Sequence, residues 1–142
     1  MSKQIVIDAS AVIDALLGES SAAAILEATV GVELISPASL PYEVTNALSA
    51  RMRRSATDAQ RLTPAQAALA WELFTQTEIA FHPVDNDRHA GALAIAGAQR
   101  IYCYDAYLIA LALAKNAPLL TLDTSQQRTA VAMGVRIVFL EA

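Results

Sequence analysis

Residues 5–10 read Ile-Val-Ile-Asp-Ala-Ser, three branched apolar side chains followed by an acid and two small residues. A continuous apolar run is typical of a strand buried on both faces of a parallel sheet, and the Ala-rich segment that follows predicts a helix. In open α/β sheets, ligands bind beyond the carboxyl ends of the strands. We therefore expect Asp8 to lie where chemistry takes place.

The bulk composition is that of an ordinary globular domain. The chain has 142 residues, of which 55% are hydrophobic and 17% charged, and its net charge is -4. We predict one domain over residues 1–142. The acidic balance argues against a broad nucleic-acid-coating surface but leaves room for a local basic patch. The single cysteine, Cys103, excludes an intrachain disulfide, and no apolar segment is long enough for a membrane span. We expect a cytoplasmic protein.

Five short apolar segments alternate with helical patterns along the chain. Strands are predicted at 5–7, 32–36, 78–84, 119–122 and 135–140, and the predicted helices include 40–53, 87–98, 105–115 and 125–133. A further helix is predicted to begin at Pro64, with Thr63 as its N-cap and Gln66 as the capping-box partner. Repeated βα units imply an α/β fold, a three-layer α/β/α arrangement around a five-stranded parallel sheet.

Two acids share one local pattern. Ile-Val-Ile-Asp8 and Leu-Leu-Thr-Leu-Asp123 each place a carboxylate after an apolar strand and before a helix. Parallel strands end at the same edge of a sheet, so these carboxylates are expected at one edge. The simpler interpretation is that each Asp is only a helix N-cap.

Two further acids lie at helix positions that call for a partner. Glu43 shares a helical face with Leu40 and Ala47, where a carboxylate is costly unless paired or bound to a cation. Asn46, one turn on, could hold it by a hydrogen bond; alternatively Glu43 reaches water or an arginine. Asp105 opens the most apolar helix, either as an N-cap or as a carboxylate kept ionised by the helix dipole.

Clustering of four carboxylates favours a hard cation. Like charges raise one another's pKa, and oxygen ligands suit Mg²⁺, which keeps several waters and acts on phosphates. Zinc is disfavoured, because Cys103, His82 and His89 show no ligand spacing. We therefore expect Mg²⁺, with Mn²⁺ as the alternative.

Four motifs in order resemble the PIN-domain family, and specifically its VapC-type toxin ribonucleases. They are Asp-Ala-Ser at 8–10, Pro-Tyr-Glu-Val-Thr-Asn-Ala-Leu at 41–48, Tyr-Asp-Ala-Tyr-Leu-Ile-Ala-Leu-Ala at 104–112, and Leu-Leu-Thr-Leu-Asp at 119–123. The resemblance covers nearly the whole chain. It implies the sheet order 3-2-1-4-5, a Mg²⁺- or Mn²⁺-dependent ribonuclease that leaves a 5′-phosphate, and a small VapB-like antitoxin that blocks the acidic site.

The resemblance also implies roles for individual residues. Ser10 and Thr121 match hydroxyl positions close to the site. Some relatives carry a further acid soon after the fourth, but residues 124–127 here are Thr-Ser-Gln-Gln, which leaves a second metal position open. The residues carried over as catalytic and metal-binding are Asp8, Glu43, Asp105 and Asp123.

Contacts to RNA are predicted from a basic segment and from two tyrosines. Arg51, Arg53, Arg54 and Arg61 concentrate four of the ten basic residues, and such side chains position a strand through its phosphates. A solvated helix end is the alternative. Tyr104 and Tyr107 flank Asp105; packing is the favoured interpretation and base stacking the alternative.

Other functions fit the sequence less well. A phosphoaspartyl phosphatase needs a second Asp two positions after the first, where Ser10 stands. A receiver domain needs an acidic pair before the first helix and a late Lys, and Lys115 is poorly placed for that role in the last turn of the buried helix. A non-catalytic PIN-like module would use the acidic pocket to receive a partner's arginine. The helices around 65–74 and 40–52 offer apolar surface for a homodimer.

Overall fold

The structure, a computed structural model, describes residues 3–141. Strands and helices alternate along it, as the apolar segments predict. The elements are β1 (Gln4–Ile7), α1 (Ala9–Leu17), α2 (Ala22–Ala28), β2 (Glu33–Pro37), α3 (Leu40–Met52), α4 (Pro64–Thr75), β3 (Ile79–His82), α5 (Asn86–Gln99), α6 (Cys103–Lys115), β4 (Leu119–Leu120) and α7 (Thr124–Ala132).

The sheet has the order β3-β2-β1-β4, and its paired strands are parallel. The prediction of a fifth strand is wrong for the described residues, in which 135–140 contributes only a parallel bridge between Leu119 and Ile137. Leu119 donates to the Arg136 carbonyl at 2.9 Å and accepts from Val138 at 3.0 Å. β4 is only two residues long, which limits its backbone pairing with residues 135–140. These residues nevertheless lie beside β4, where the fifth strand was expected.

Alternation along β1 divides the core between two faces of the sheet. Ile5 and Ile7 pack in one apolar cluster with residues of α1, α2, α3 and α4. Val6 packs in a second cluster with residues of α6 and α7. Successive side chains of a strand point to opposite faces, so a fully apolar β1 requires helices on both sides. The predicted three-layer α/β/α arrangement is confirmed.

Helix starts follow local capping chemistry. The capping box at α4 is confirmed, because Thr63 Oγ1 accepts from Gln66 N at 3.1 Å and Gln66 Oε1 accepts from Thr63 N at 2.8 Å. Two predicted starts are corrected. Asp85, rather than Asp87, caps α5, and α6 begins at Cys103, so that Asp105 lies inside the first turn and is not the N-cap.

Within residues 3–141, no single helix is long and apolar enough to span a bilayer, and α1 with α2 reaches that length and composition only as a pair bent by 114°.

Candidate functional site

The candidate site lies at the carboxyl edge of the sheet, where β1 and β4 end side by side. Asp8 directly follows β1, and its backbone N–H donates to the Leu120 carbonyl of β4 at 3.2 Å. Asp8 is the N-cap of α1, and Asp123 is the N-cap of α7. Both acids therefore cap helices as well as standing at one edge, and the capping and site interpretations are compatible.

Asp8 is buried and held by three hydrogen bonds. Its Oδ1 accepts from Ser10 Oγ at 2.7 Å and from Ala11 N at 3.0 Å, and its Oδ2 accepts from Thr121 Oγ1. Burial raises the pKa of Asp8, these hydrogen bonds oppose the rise, and the charge of Asp123 adds to it. Two carboxylate oxygens offer about four acceptor sites, so the three bonds leave capacity for one more ligand.

Ser10 and Thr121 join Asp8 to the loop that carries Asp123. Ser10 Oγ accepts from Leu122 N at 3.0 Å, and Thr121 Oγ1 accepts from Asp123 N at 3.1 Å. Thr121 is 1% exposed. The two hydroxyl residues thus fix the position of Asp8 relative to Asp123, and the Thr121–Asp8 hydrogen bond joins residues that are 113 positions apart in the sequence.

Glu43 enters from the first turn of α3. Its Oε2 accepts from Ser39 Oγ at 2.9 Å, a contact that sequence reasoning missed. Asn46 was the expected partner, but it is exposed, because it lies on the outer side of α3. Ser39 precedes Glu43 by four residues, a spacing that places the two on one helical face.

Partial burial raises the pKa of Glu43 from 4.5 to about 7. The Ser39 hydrogen bond opposes this rise, and the charges of Asp8 and Asp105 add to it. Glu43 is therefore about half protonated near neutral pH in the protein alone.

Asp105 enters from the first turn of α6. Burial raises its pKa, and the charges of Asp123 and Asp8 raise it further. Gln126, a second residue that the sequence reasoning missed as part of the site, connects this turn to α7. Its Nε2 donates to the Asp105 carbonyl at 3.0 Å, and its own N–H donates to Asp123 Oδ1 at 3.2 Å.

The four acids form one electrostatic unit, here called the acidic cluster: Asp8, Glu43, Asp105 and Asp123. Charge repulsion couples them: Asp123 raises the pKa of Asp8 and of Asp105, and Asp8 raises that of Asp105. Asp8 and Asp105 in turn raise the pKa of Glu43. Within residues 3–141, no three Asp, Glu, His or Cys side chains already stand in positions to hold one metal ion. The donor set is nevertheless all oxygen, which is the chemistry of Mg²⁺ or Mn²⁺ and not of zinc.

The basic segment is only partly available to a ligand. Arg51 forms a two-point ion pair with Glu19, with both N–O distances at 2.7 Å. It ties α3 to the loop between α1 and α2, and so it is committed to the fold. Arg53, Arg54 and Arg61 are exposed. This ion pair could not be predicted from the sequence, because Glu19 and Arg51 are 32 residues apart.

The tyrosines near Asp105 are not simply packed. Tyr104 is 56% exposed, so the packing interpretation is wrong for it. The Tyr107 hydroxyl hydrogen-bonds His89 Nδ1, and the two rings meet edge to face with centroids 5.4 Å apart. Cys103 is half-buried.

The described geometry is that of an α/β protein with an acidic cluster at the carboxyl edge of a parallel sheet. The family model for the PIN domain matches residues 5–132. The chain therefore belongs to the PIN-domain family.

Solved structures share this fold. VapBC2 from Rickettsia felis, crystallised with a DNA fragment from its promoter, is 12% identical, with a TM-score of 0.67 over 97% of this chain and 99% of the other. VapC20 from Mycobacterium tuberculosis, a toxin that cleaves the sarcin-ricin loop, is 16% identical, with a TM-score of 0.65 over 94% and 98%. FitAcB from Neisseria gonorrhoeae is 17% identical, with a TM-score of 0.62 over 95% and 96%. No curated protein sequence gives a significant match.

Proposed function

We propose that this chain is a Mg²⁺- or Mn²⁺-dependent endoribonuclease, the toxin component of a VapBC-type toxin–antitoxin system. The observation that carries the proposal is the acidic cluster, in which four segments of a PIN-domain chain bring carboxylates close enough to raise one another's pKa. Repulsion between carboxylates is relieved when a cation binds them. A cation bound by carboxylates at a sheet edge is suited to phosphodiester hydrolysis.

The residues divide into those that would hold the ion and those that fix them. Asp8 and Asp105 would be the main ligands, with Glu43 and Asp123 completing the shell directly or through water. When bound, Mg²⁺ lowers the pKa of water and offsets negative charge on the phosphate oxygens. Ser10 and Thr121 hold the Asp8 carboxylate in one orientation through their hydrogen bonds, and Ser39 does the same for Glu43.

A cleavage assay tests the activity directly. Purified protein is incubated with a labelled single-stranded RNA in Mg²⁺, in Mn²⁺ and in EDTA, and the product ends are identified. We expect cleavage with 5′-phosphate ends in either metal and none in EDTA. Turnover of a phosphomonoester without RNA cleavage would support the phosphatase alternative, and RNA binding without turnover would support the non-catalytic module.

An antitoxin partner is proposed from the same cluster. A cluster of four carboxylates attracts a cationic side chain, and two of the solved structures with this fold, VapBC2 and FitAcB, are named for two components each. We propose a small protein whose C-terminal segment places a cation in the acidic cluster, acting in the cytoplasm. A gene for such a protein immediately upstream, whose product suppresses RNA cleavage when co-purified, is the expected observation.

A homodimer is proposed through α4. The inner faces of α3 and α4 pack in the core and are not available to a partner, since Leu40, Val44 and Phe74 are at most 4% exposed. On α4, however, Leu69 is 62% and Leu73 is 42% exposed, and adjacent exposed leucines favour an interface.

Placing negative charges on the exposed face of α4 should convert the dimer to a monomer. Light scattering at micromolar concentration should show a dimer for the wild type and a monomer for the Leu69→Glu/Leu73→Glu variant, because like charges would face each other across a two-fold axis. Circular dichroism checks that both chains are folded. A monomeric wild type would remove this proposal.

Arg53 and Arg54 are expected to contact RNA phosphates. They directly follow the last residue of α3, which places them about 15 Å from Glu43 at about 1.5 Å per helical residue, so they would contact the strand several nucleotides from the cleavage point. Replacing both with Gln should weaken single-stranded RNA binding and reduce the slope of log K against log salt by about 1.4, at about 0.7 for each phosphate contact.

The matched control removes two charges elsewhere. Lys3 precedes β1 and Lys115 ends α6, both at the opposite edge of the sheet. The Lys3→Gln/Lys115→Gln variant has the same net charge as the arginine variant and should keep the wild-type salt slope. Equal slopes for the two variants would mean that only overall charge matters.

A further inference from the structure

A groove of about 660 Å³ opens beside the acidic cluster. Its walls include Tyr42, Tyr104, Tyr107, His89 and Ser39, and we call it the tyrosine groove. Ser39 belongs to both sites, because the residue lines the groove and its hydroxyl donates to Glu43 Oε2 at 2.9 Å. Tyr104 immediately precedes Asp105. A molecule that fills the groove therefore lies next to the carboxylates.

The groove presents aromatic rings to solvent. Tyr42 is 75% and Tyr104 is 56% exposed. Tyr107 is fixed by its hydrogen bond to His89 and by the edge-to-face contact of the two rings. Exposed rings on a rigid wall are the usual platform for flat aromatic ligands. The core makes no use of Tyr42 or Tyr104, so packing does not account for either ring.

The charge pattern narrows the choice of ligand. The residues lining the groove include no Asp, Glu, Lys or Arg, whereas the neighbouring cluster has four carboxylates. A nucleotide has the same division, with a neutral flat base next to a charged phosphate. The volume lies within the range of small-ligand pockets.

We propose that the tyrosine groove binds one unstacked base of single-stranded RNA, next to the phosphate that is placed at the acidic cluster. The inference rests on the proposed ribonuclease function and names the subsite that selects a flexible strand. Tyr104 and Tyr42 supply stacking surfaces, and the His89–Tyr107 pair forms the fixed wall. Duplex RNA is excluded, because its bases are already stacked and paired.

Binding is measured apart from cleavage. Fluorescence anisotropy with a labelled single-stranded RNA decamer is carried out in the Asp8→Asn background, so that the RNA stays intact. Tyr42→Leu and Tyr104→Leu should each weaken binding about tenfold, the loss typical of one stacked base. Tyr104→Phe keeps the ring and should stay within about twofold of the parent. Phe139→Leu is the matched control, since Phe139 is 83% exposed and does not line the groove.

An abasic series locates the base. The decamer is synthesised with one abasic nucleotide at each position in turn. At one or two positions the missing base should weaken binding to the parent about tenfold and binding to Tyr104→Leu hardly at all, because both changes remove the same contact. A matched RNA duplex should bind equally to the parent and to Tyr104→Leu.

The outcomes separate this inference from the proposed function. Leucine variants that bind the decamer as the parent does, or abasic effects that simply add to those of Tyr104→Leu, would overturn the inference. Unchanged RNA binding with loss of a co-purified protein partner would also overturn it, and assign the groove to a polypeptide. Non-additive losses on binding, together with no cleavage by the wild type in Mg²⁺, would support the base subsite and reject the nuclease.

Discussion

Replacing Asp8 with Asn is expected to lower Mg²⁺-dependent RNA cleavage by about a thousandfold or more while the protein remains folded. Asp8 is the most deeply buried of the four acids, and it is a proposed main ligand of the ion. The amide keeps the shape of the carboxylate but not its charge. Loss of several kcal/mol of charge stabilisation corresponds to that factor, at about 1.4 kcal/mol per tenfold.

The fold should tolerate this change. Asn is as good an N-cap as Asp, and its oxygen can keep the hydrogen bonds from Ser10 and Ala11. Thr121, which donates to the other oxygen, can instead accept from the amide. Because burial raises the pKa of Asp8, its ionised form costs free energy at neutral pH, and Asn avoids that cost. The unfolding free energy at pH 7 should not fall.

Asp14→Asn is the matched control. Asp14 is buried to the same extent as Asp8, at 7% exposed, and its Oδ1 likewise accepts a backbone hydrogen bond, from Ser21 N at 3.1 Å. It is not part of the acidic cluster. Single-turnover cleavage and denaturant unfolding are measured for both variants. If Asp8→Asn cleaves RNA at the rate of Asp14→Asn, the assignment of the site is wrong.

The sequence was sufficient where one local pattern carries both position and burial. The alternation of Ile5, Val6 and Ile7 determines that β1 is covered on both faces, and the two strand–Asp–helix segments place Asp8 and Asp123 at one edge. These are consequences of strand and helix geometry within a few residues. The parallel α/β architecture follows from repeating that pattern along the chain.

The sequence was insufficient where a contact depends on distant segments. Asn46 and Ser39 are both within one turn of Glu43, and only the orientation of α3 against the sheet makes Ser39 the partner. Arg51 was grouped with its basic neighbours because Glu19 is far away in the chain. The fifth strand was predicted from apolar content, but pairing is limited by β4, which has only two residues.

Removal of metal is expected to make stability fall with rising pH, because the acidic cluster is then uncompensated. The pKa of Glu43 is about 7 in the fold against 4.5 ordinarily. Below pH 4.5 both states hold the proton, and the stabilising contribution is complete. Between 4.5 and 7 the unfolded state releases the proton first, so the unfolding free energy falls until the pH passes the folded pKa. The raised pKa values of Asp8 and Asp105 act in the same direction.

The fall in unfolding free energy that Glu43 contributes is of the order of 1–2 kcal/mol, after discounting for its partial exposure. Mg²⁺ binds the ionised cluster and should restore more than that at pH 8, about 2.7 kcal/mol at a hundred times its Kd. At pH 5 protons compete with the ion, and the gain should be small. Chelation at pH 8 should therefore both destabilise the protein and reduce RNA cleavage to background.

The test compares denaturant unfolding of the wild type and Glu43→Gln from pH 4.5 to 8.5, each in EDTA and in Mg²⁺. Glu43→Gln removes one ionisable group and can keep the Ser39 hydrogen bond through its amide oxygen, so its metal-free stability should fall less with pH, and the difference between the two curves isolates Glu43. Glu19, whose pKa is lowered mainly by its hydrogen bond from Arg51, is common to both proteins and cancels in that difference. Parallel curves, or a Mg²⁺ gain that is equal at pH 5 and pH 8, would show that the four carboxylates do not act together as an ion site.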